Sequence, residues 1–428
     1  MTGVSRWGLR LIVLCLLAVL ALLIASLERS PVVVSEHRVT PETARLAEEV
    51  AGRVRRIAYH REIAFSAEEA AALAAISSRL HPGLATQVNI TNEQMLAAAS
   101  LPVIQGHLYL NVSALVLPSE HGVWVDHVRV GAIKWPGPVA VKIAEWIGNL
   151  LVRPRGGTEV LSAIEGVRFD RGRVVVAYRH PENLRFSHLF DLRDARQPYG
   201  DPARMRHYYA LLLDHATGTG DDQLAGYLEQ AMLEAARRSV GGRSAIEENE
   251  AALLALAVLL GIHRFEVLLG DVRGDLPARP SRVQVKLAGR PGIQLHFTYS
   301  AAIRVMSNRE TGLLAGELKE LLDANPGGSG FSFVDLMADH AGVRFAEIAT
   351  ASETSARALH DFVRTRGLSD SALLPDIAGV EEGIGYHAFR ERFDHIESEA
   401  YREAVVSITR QLDTMPLYAL AEWHRNGD

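Results

Sequence analysis

A chain of 428 residues exceeds what one hydrophobic core usually organises, so two or three domains are expected. Its 48% apolar and 22% charged residues are the balance of a folded protein, and a net charge of −6 without any basic block excludes nucleic acid as the expected partner. The single cysteine, Cys15, lies near the N-terminus, which excludes disulfides, thiolate metal sites and cysteine nucleophiles from the rest of the chain.

Arg6 and Arg10 precede the apolar run LIVLCLLAVLALLIASL over residues 11–27, which is followed by Glu28 and Arg29. Its length sits near the lower end of the roughly 17–25 residues that span a bilayer. Basic residues ahead of the run predict a cytoplasmic N-terminus over 1–10, a single inner-membrane anchor, and the bulk of the chain in the periplasm. A cleaved signal peptide is the alternative, although cleavage after Ala25 or Ser26 would leave Leu23 or Ile24 where a small residue is preferred.

Residues 28–61 read as a stalk helix, capped by Thr40, with Pro41 in its first turn and Leu46, Val50, Val54 and Ile57 on one stripe. Residues 62–182 read as an α/β module with a curved antiparallel sheet. Ser66–Glu69 and Thr91–Gln94 have capping-box spacing and predict helix starts. Segments 107–117 and 123–135 are strand-like, and a helix after residue 136 carries Val139, Ile143, Ile147 and Leu150 on one face. A hairpin is expected to turn at Asp170–Gly172.

Residues 183–202, rich in prolines and mixed charges, form an expected linker. Residues 203–428 read as a mainly α-helical domain. Its central element is the apolar helix over 244–261, and its only strand candidate is 282–289. The expected fold class is therefore α+β: an N-terminal transmembrane helix, the sheet module, then the helical domain.

Familiar catalytic signatures are absent: there is no HExxH, no P-loop, no GxGxxG after a strand and no GxSxG. Glu247, Glu248 and Glu250 head the apolar helix, where Ser244 with Glu247 makes a capping box and acids complement the helix dipole. Suspicion falls instead on residues 296–342. His296 and Ser300, four apart, share a helix face. On the next helix, capped by Thr311, Leu314, Leu318, Leu321 and Leu322 form the apolar side. Glu320 and Asp323 point away from it and are expected in solvent. A third helix starts near Ser332, with Val334, Ala338, Ala341, Phe345 and Ile348 as its core stripe. Asp335 and Asp339 flank that stripe beside the small residues Gly342 and Ala346, which would let a neighbouring helix come close. Carboxylates trapped there need a partner, such as His296, Lys319 or a metal. Ser332 and Asp335 also have capping-box spacing.

The order HFTYS … KELLD … GSGFSFVDLMADHAG resembles the VanZ-like and YfiM-like bacterial envelope proteins. Their pattern is a His-Phe on one helix, an acidic element on the next and a "DL.AN..G" element on a third. The matching positions are His296, Phe297, Ser300, Lys319, Glu320, Asp323, Ser332, Asp335, Leu336, Ala338, Asp339 and Gly342. The sequence departs from the pattern at Asp339, where the family usually has Asn, and at Gly292 and Ile293, where it commonly has Asp-Lys. The resemblance implies a bacterial envelope protein with a polar three-helix motif and no particular reaction.

The resulting expectation is a membrane-anchored, extracytoplasmic envelope protein with an interaction or structural role and protein, glycan or lipid partners. The alternative is a metal-assisted hydrolase of an envelope polymer or lipid. Its candidate catalytic groups are His296, Glu320, Asp323, Asp335 and Asp339. A second alternative is an amphiphile-binding module over 62–182. The sequence names no cofactor and no particular metal.

Overall fold

The computed structural model describes residues 25–34, 38–55, 61–80, 83–104, 107–151, 155–179, 201–261, 269, 272–279, 284–307, 319–320, 323, 325 and 327–420. The chain divides into two compact units, one over 1–39 and 46–190, the other over 40–45 and 191–428. Helix α1 (Pro41–Arg55) starts in the second unit and continues in the first. Thr40 and Thr43 cap it reciprocally, each backbone N–H donating to the other's hydroxyl.

The first unit holds two antiparallel sheets. One runs β3 (Ala85–Ile90), β4 (Met95–Ile104), β5 (Leu108–Leu117), β6 (Trp124–Val130), β7 (Ile133–Pro136) in spatial order, with β1 (Leu27–Glu28) beside the start of β5. The other is β2 (Glu62–Ser66), β9 (Arg173–Tyr178), β8 (Ile164–Asp170). Ile90, Val116, Val167 and Val174 form a shared core between them. The Ser66–Glu69 capping box is made in full and starts α2 (Ala67–Leu80). At the β8–β9 turn, Arg171 and Gly172 both have positive φ, the conformation a two-residue hairpin needs.

Several expectations are corrected here. No helix among the described residues is long and apolar enough to cross a membrane. Most of the expected anchor over 11–27 lies outside the described residues, and its last residue, Leu27, pairs with Leu110 in the sheet. The transmembrane helix, the membrane and signal-anchor assignment, and the periplasmic placement built on it are therefore not supported. Thr91–Gln94 does not start a helix. Its hydroxyl accepts from the N–H groups of Glu93 and Gln94 in the tight turn between β3 and β4, the same capping chemistry serving a hairpin. The run 123–135 is two strands, divided at Gly131–Ala132. Helix α3 (Gly137–Leu151) leaves Val139, Ile143, Trp146 and Ile147 exposed, so its apolar stripe is not its packing face. Its Pro138, Val141, Lys142 and Glu145 instead line a groove of about 670 Å³ with Trp124 and Val125 of β6 and with α4 (Gly156–Ala163).

The second unit is helical. Helices α5 (Pro202–Gly218), α6 (Leu224–Arg238), α7 (Ala245–Leu260), α8 (Pro291–Met306), α9 (Phe333–Thr350) and α10 (Glu353–Arg366) pack around α7, which is buried on nearly every side. Asp201, expected in the linker, is the N-cap of α5; the rest of the expected linker, apart from Pro202, lies outside the described residues. Around Val285–Leu287 there is no strand among the described residues, only isolated bridges to Gln223 and Arg290. A second core gathers Phe331 and Phe333 with Phe389, Phe393 and Tyr401 from α12 (Tyr386–Arg392), the residues after it, and α13 (Glu399–Asp413); the short α11 (Asp370–Leu373) precedes them.

Candidate functional site

Helices α8 and α9 pack backbone to backbone. Gly342 makes it possible, because a Cβ at that position would lie 2.1 Å from the Phe297 carbonyl oxygen. The missing side chain lets two helical backbones come together one turn from Asp339. Phe297 and Phe345 close the apolar side of the joint, ring to ring.

This contact inserts Asp339 between His296 and Ser300. The Ser300 hydroxyl donates to Asp339 Oδ1 at 2.6 Å, and His296 Nδ1 lies 3.1 Å from both Asp339 oxygens. All three residues are buried. A carboxylate can only accept, so Nδ1 must carry a proton. The other ring nitrogen, Nε2, faces Glu320 Oε1 at 3.7 Å and Asp335 Oδ2 at 3.6 Å. Asp335 sits in the first turn of α9, where Ser332 accepts its N–H, and keeps 19% of its side chain exposed.

Glu320 corrects the sequence reading. Expected in solvent, it is wholly buried. Its Oε2 accepts the Ser332 N–H at 2.9 Å, and its Oε1 accepts from Lys319 Nζ at 2.9 Å. Lys319 also donates to Asp323 Oδ2 at 2.7 Å, and Asp323 stays partly exposed, away from His296. The leucine side of this helix, and its cap at Thr311, lie outside the described residues. Of the five candidate residues, the structure gathers Glu320, Asp335 and Asp339 around His296 and leaves Asp323 one step out.

The electrostatics of the cluster have one sign. Burial pushes the Glu320 carboxyl up to about 7, with Lys319 and His296 opposing the rise and Asp335 adding to it. Burial works against the His296 imidazolium, but the hydrogen bond and charge of Asp339, aided by Asp335, outweigh it and raise the pKa. Lys319 is likewise raised, because Glu320 and Asp323 overcome its desolvation. His296 and Glu320 are thus both shifted toward holding a proton.

A neutral His296 with Nδ1 protonated presents a lone pair at Nε2 to two carboxylate oxygens. Three acceptors converging on one point need a proton or a cation between them. The donor atoms of His296, Glu320 and Asp335 lie within 4.8 Å of one another. Atoms bound to one ion at about 2.1 Å stand roughly 3–3.5 Å apart, so a small contraction would close the set. Asp339 holding the far ring nitrogen is the outer-shell carboxylate that fixes a metal-binding imidazole. The residues present therefore fit a divalent cation.

The acids that head α7 have a different role. Glu248, also buried, accepts from Tyr208 and Arg238 on Oε2 and has Arg204 Nε 3.3 Å from Oε1, so it is neutralised by two arginines, while Ser244 caps the Glu247 N–H. The contribution that sequence reasoning missed is the backbone N–H of Ser332, which pins Glu320 inside. No side-chain pattern could have signalled it. No family model, curated protein or solved structure matches this chain, so the resemblance to the VanZ-like group rests on residues 296–342 alone.

Proposed function

We propose that this chain is a metal-dependent hydrolase whose centre lies in the helical unit. In this reading His296 Nε2, Glu320 and Asp335 hold a divalent cation, and Asp339 with Ser300 fixes the imidazole. The observation that carries it is the convergence of three acceptors at one point, from the buried His296 and Glu320 and the partly exposed Asp335. One imidazole with two carboxylates is a hard donor set suited to zinc or manganese rather than to a soft ion. Three protein donors leave coordination positions for water, and a bound cation would supply the Lewis acidity that makes water a nucleophile near neutral pH.

The test is elemental analysis of the full chain purified without a metal-affinity step and dialysed against micromolar zinc or manganese. About one equivalent of ion per chain is expected, as for a single three-donor site. Asp335→Asn should lose it while far-UV circular dichroism stays that of the parent, since Asp335 is partly exposed and its backbone cap survives the change. An ion-free parent, with Asp335→Asn merely melting earlier, would make the cluster a packing network and end the reading. In the loaded parent, Asp339→Asn should weaken ion binding by roughly 10–100-fold, the usual cost of losing an outer-shell partner.

A further inference from the structure

Glu320 Oε1 has two neighbours. It is the oxygen 3.7 Å from His296 Nε2, and it is also the oxygen on which Lys319 Nζ sits at 2.9 Å. The same ammonium donates to Asp323 Oδ2 at 2.7 Å, four residues further along the chain. Lys319 thus bridges a wholly buried carboxylate and a partly exposed one, and half of its own side chain remains in solvent.

Resting on the metal reading above, we infer that Lys319 is the resident counter-cation of Glu320, displaced by the metal and then kept on Asp323, so that this pair sets how tightly the ion is held. The charge count supports an exchange. Glu320, Asp323, Asp335 and Asp339 are four carboxylates, faced among the described residues by one lysine and one histidine, and a buried carboxylate that is ionised needs a compensating cation. Without an ion the lysine supplies it. An ion at the convergence point would use the oxygen that the lysine holds, and two cations on one carboxylate oxygen repel each other. Asp323 offers the ammonium somewhere to stay: it is already within hydrogen-bond distance, and it lies on the solvent side of Glu320.

Lys319 therefore acts on the site through Glu320, as a positioning residue that the ion must outcompete.

Isothermal titration of the full chain with Mn²⁺ tests it. Lys319→Met, which keeps the stem and removes the charge, should bind Mn²⁺ roughly tenfold more tightly than the parent, within the usual range for coupled ligands. Asp323→Asn should bind more weakly, because the lysine then has only Glu320 to hold. In the double variant the effect of Asp323→Asn should vanish, since no lysine remains to be anchored. Lys319→Arg should behave like the parent rather than like Lys319→Met, which separates charge from packing. If Lys319→Met is less stable at rest, its melting temperature should still rise more per addition of Mn²⁺ than the parent's does. Mn²⁺ binding by Lys319→Met that equals or falls below the parent's would overturn the exchange and leave the metal site standing. No binding by any variant, the parent included, would bring down both.

Discussion

Gly342→Ala is expected to destabilise the helical unit by about 2 kcal/mol and to open the site with it. Two effects compete. In an unobstructed helix interior, replacing glycine by alanine stabilises by about 1 kcal/mol through backbone entropy. Here the new methyl would stand 2.1 Å from the Phe297 carbonyl oxygen and 2.9 Å from its carbonyl carbon. These are backbone atoms of a neighbouring helix, and they cannot swing aside as a side-chain tip would. Overpacking of this kind costs about 3 kcal/mol at the upper end of its usual range, so the steric term wins. Gly292 is the internal control. It is also helical, on α8, but a Cβ there meets nothing within 4 Å, so Gly292→Ala should be neutral or slightly stabilising. Urea denaturation of the two variants should move the midpoint in opposite directions, or move only that of Gly342→Ala. Equal small effects would mean that α8 and α9 can part without cost. The site should follow the helices: because Phe297 adjoins His296, separating them lengthens the His296–Asp339 contact, and Mn²⁺ binding should weaken in Gly342→Ala but not in Gly292→Ala.

The halves of the site on α8 and α9 were legible because helical periodicity is local. His296 and Ser300 are one turn apart and meet the same Asp339 oxygen. The stripe Val334, Ala338, Ala341, Phe345 and Ile348 is buried throughout, and the small Gly342 beside it marks a close approach that the structure contains. Glu320 was not legible, and the reason is general. A leucine stripe in sequence marks one apolar face and says nothing of what the polar residues beside it will meet. Glu320 meets a polar cluster, so its burial leaves no apolar signal. In the sheet unit the failures have the same origin. Ser66–Glu69 and Thr91–Gln94 share a capping pattern, and alanine-rich segments follow both, yet one starts α2 and the other turns into β4. Pairing with β3 and β5 decides the second case, overriding the helix propensity of its alanines. Helix α3 inverts the usual rule, with Ile143, Trp146 and Ile147 outward, and nothing in its periodicity could reveal that.

In metal-free protein, Glu320→Gln should gain stability over the parent as pH rises from 5 to 8, by about 3 kcal/mol in all. The sign follows from linkage. Glu320 titrates at its ordinary 4.5 when unfolded and at about 7 when folded, so its protonated form is the one the fold prefers. Below pH 4.5 both states carry the proton and nothing is lost. Between 4.5 and 7 the unfolded chain releases it first, and the folded state loses ground; above 7 the loss is complete. The gap from 4.5 to about 7 corresponds to about 3 kcal/mol. His296 acts in the same direction: its folded pKa is raised, so its contribution is whole below its unfolded value and disappears as pH climbs through the folded one. His360 opposes them. Buried and lowered to about 4, it favours the folded state as pH rises toward 6.5, and this partly masks the Glu320 effect in the parent's own curve. The comparison therefore has to be a difference. His360 is common to both proteins and cancels, whereas Glu320→Gln keeps an acceptor for the Ser332 N–H and for Lys319 while it removes the titrating charge. Urea midpoints with chelator present, measured from pH 5 to 8, should diverge steadily, and parallel curves would show that Glu320 ionises in the fold as easily as in water. Saturating Mn²⁺ should reverse the ordering, because the cation favours the ionised carboxylate that burial penalises, and the parent then becomes the more stable of the two at pH 8.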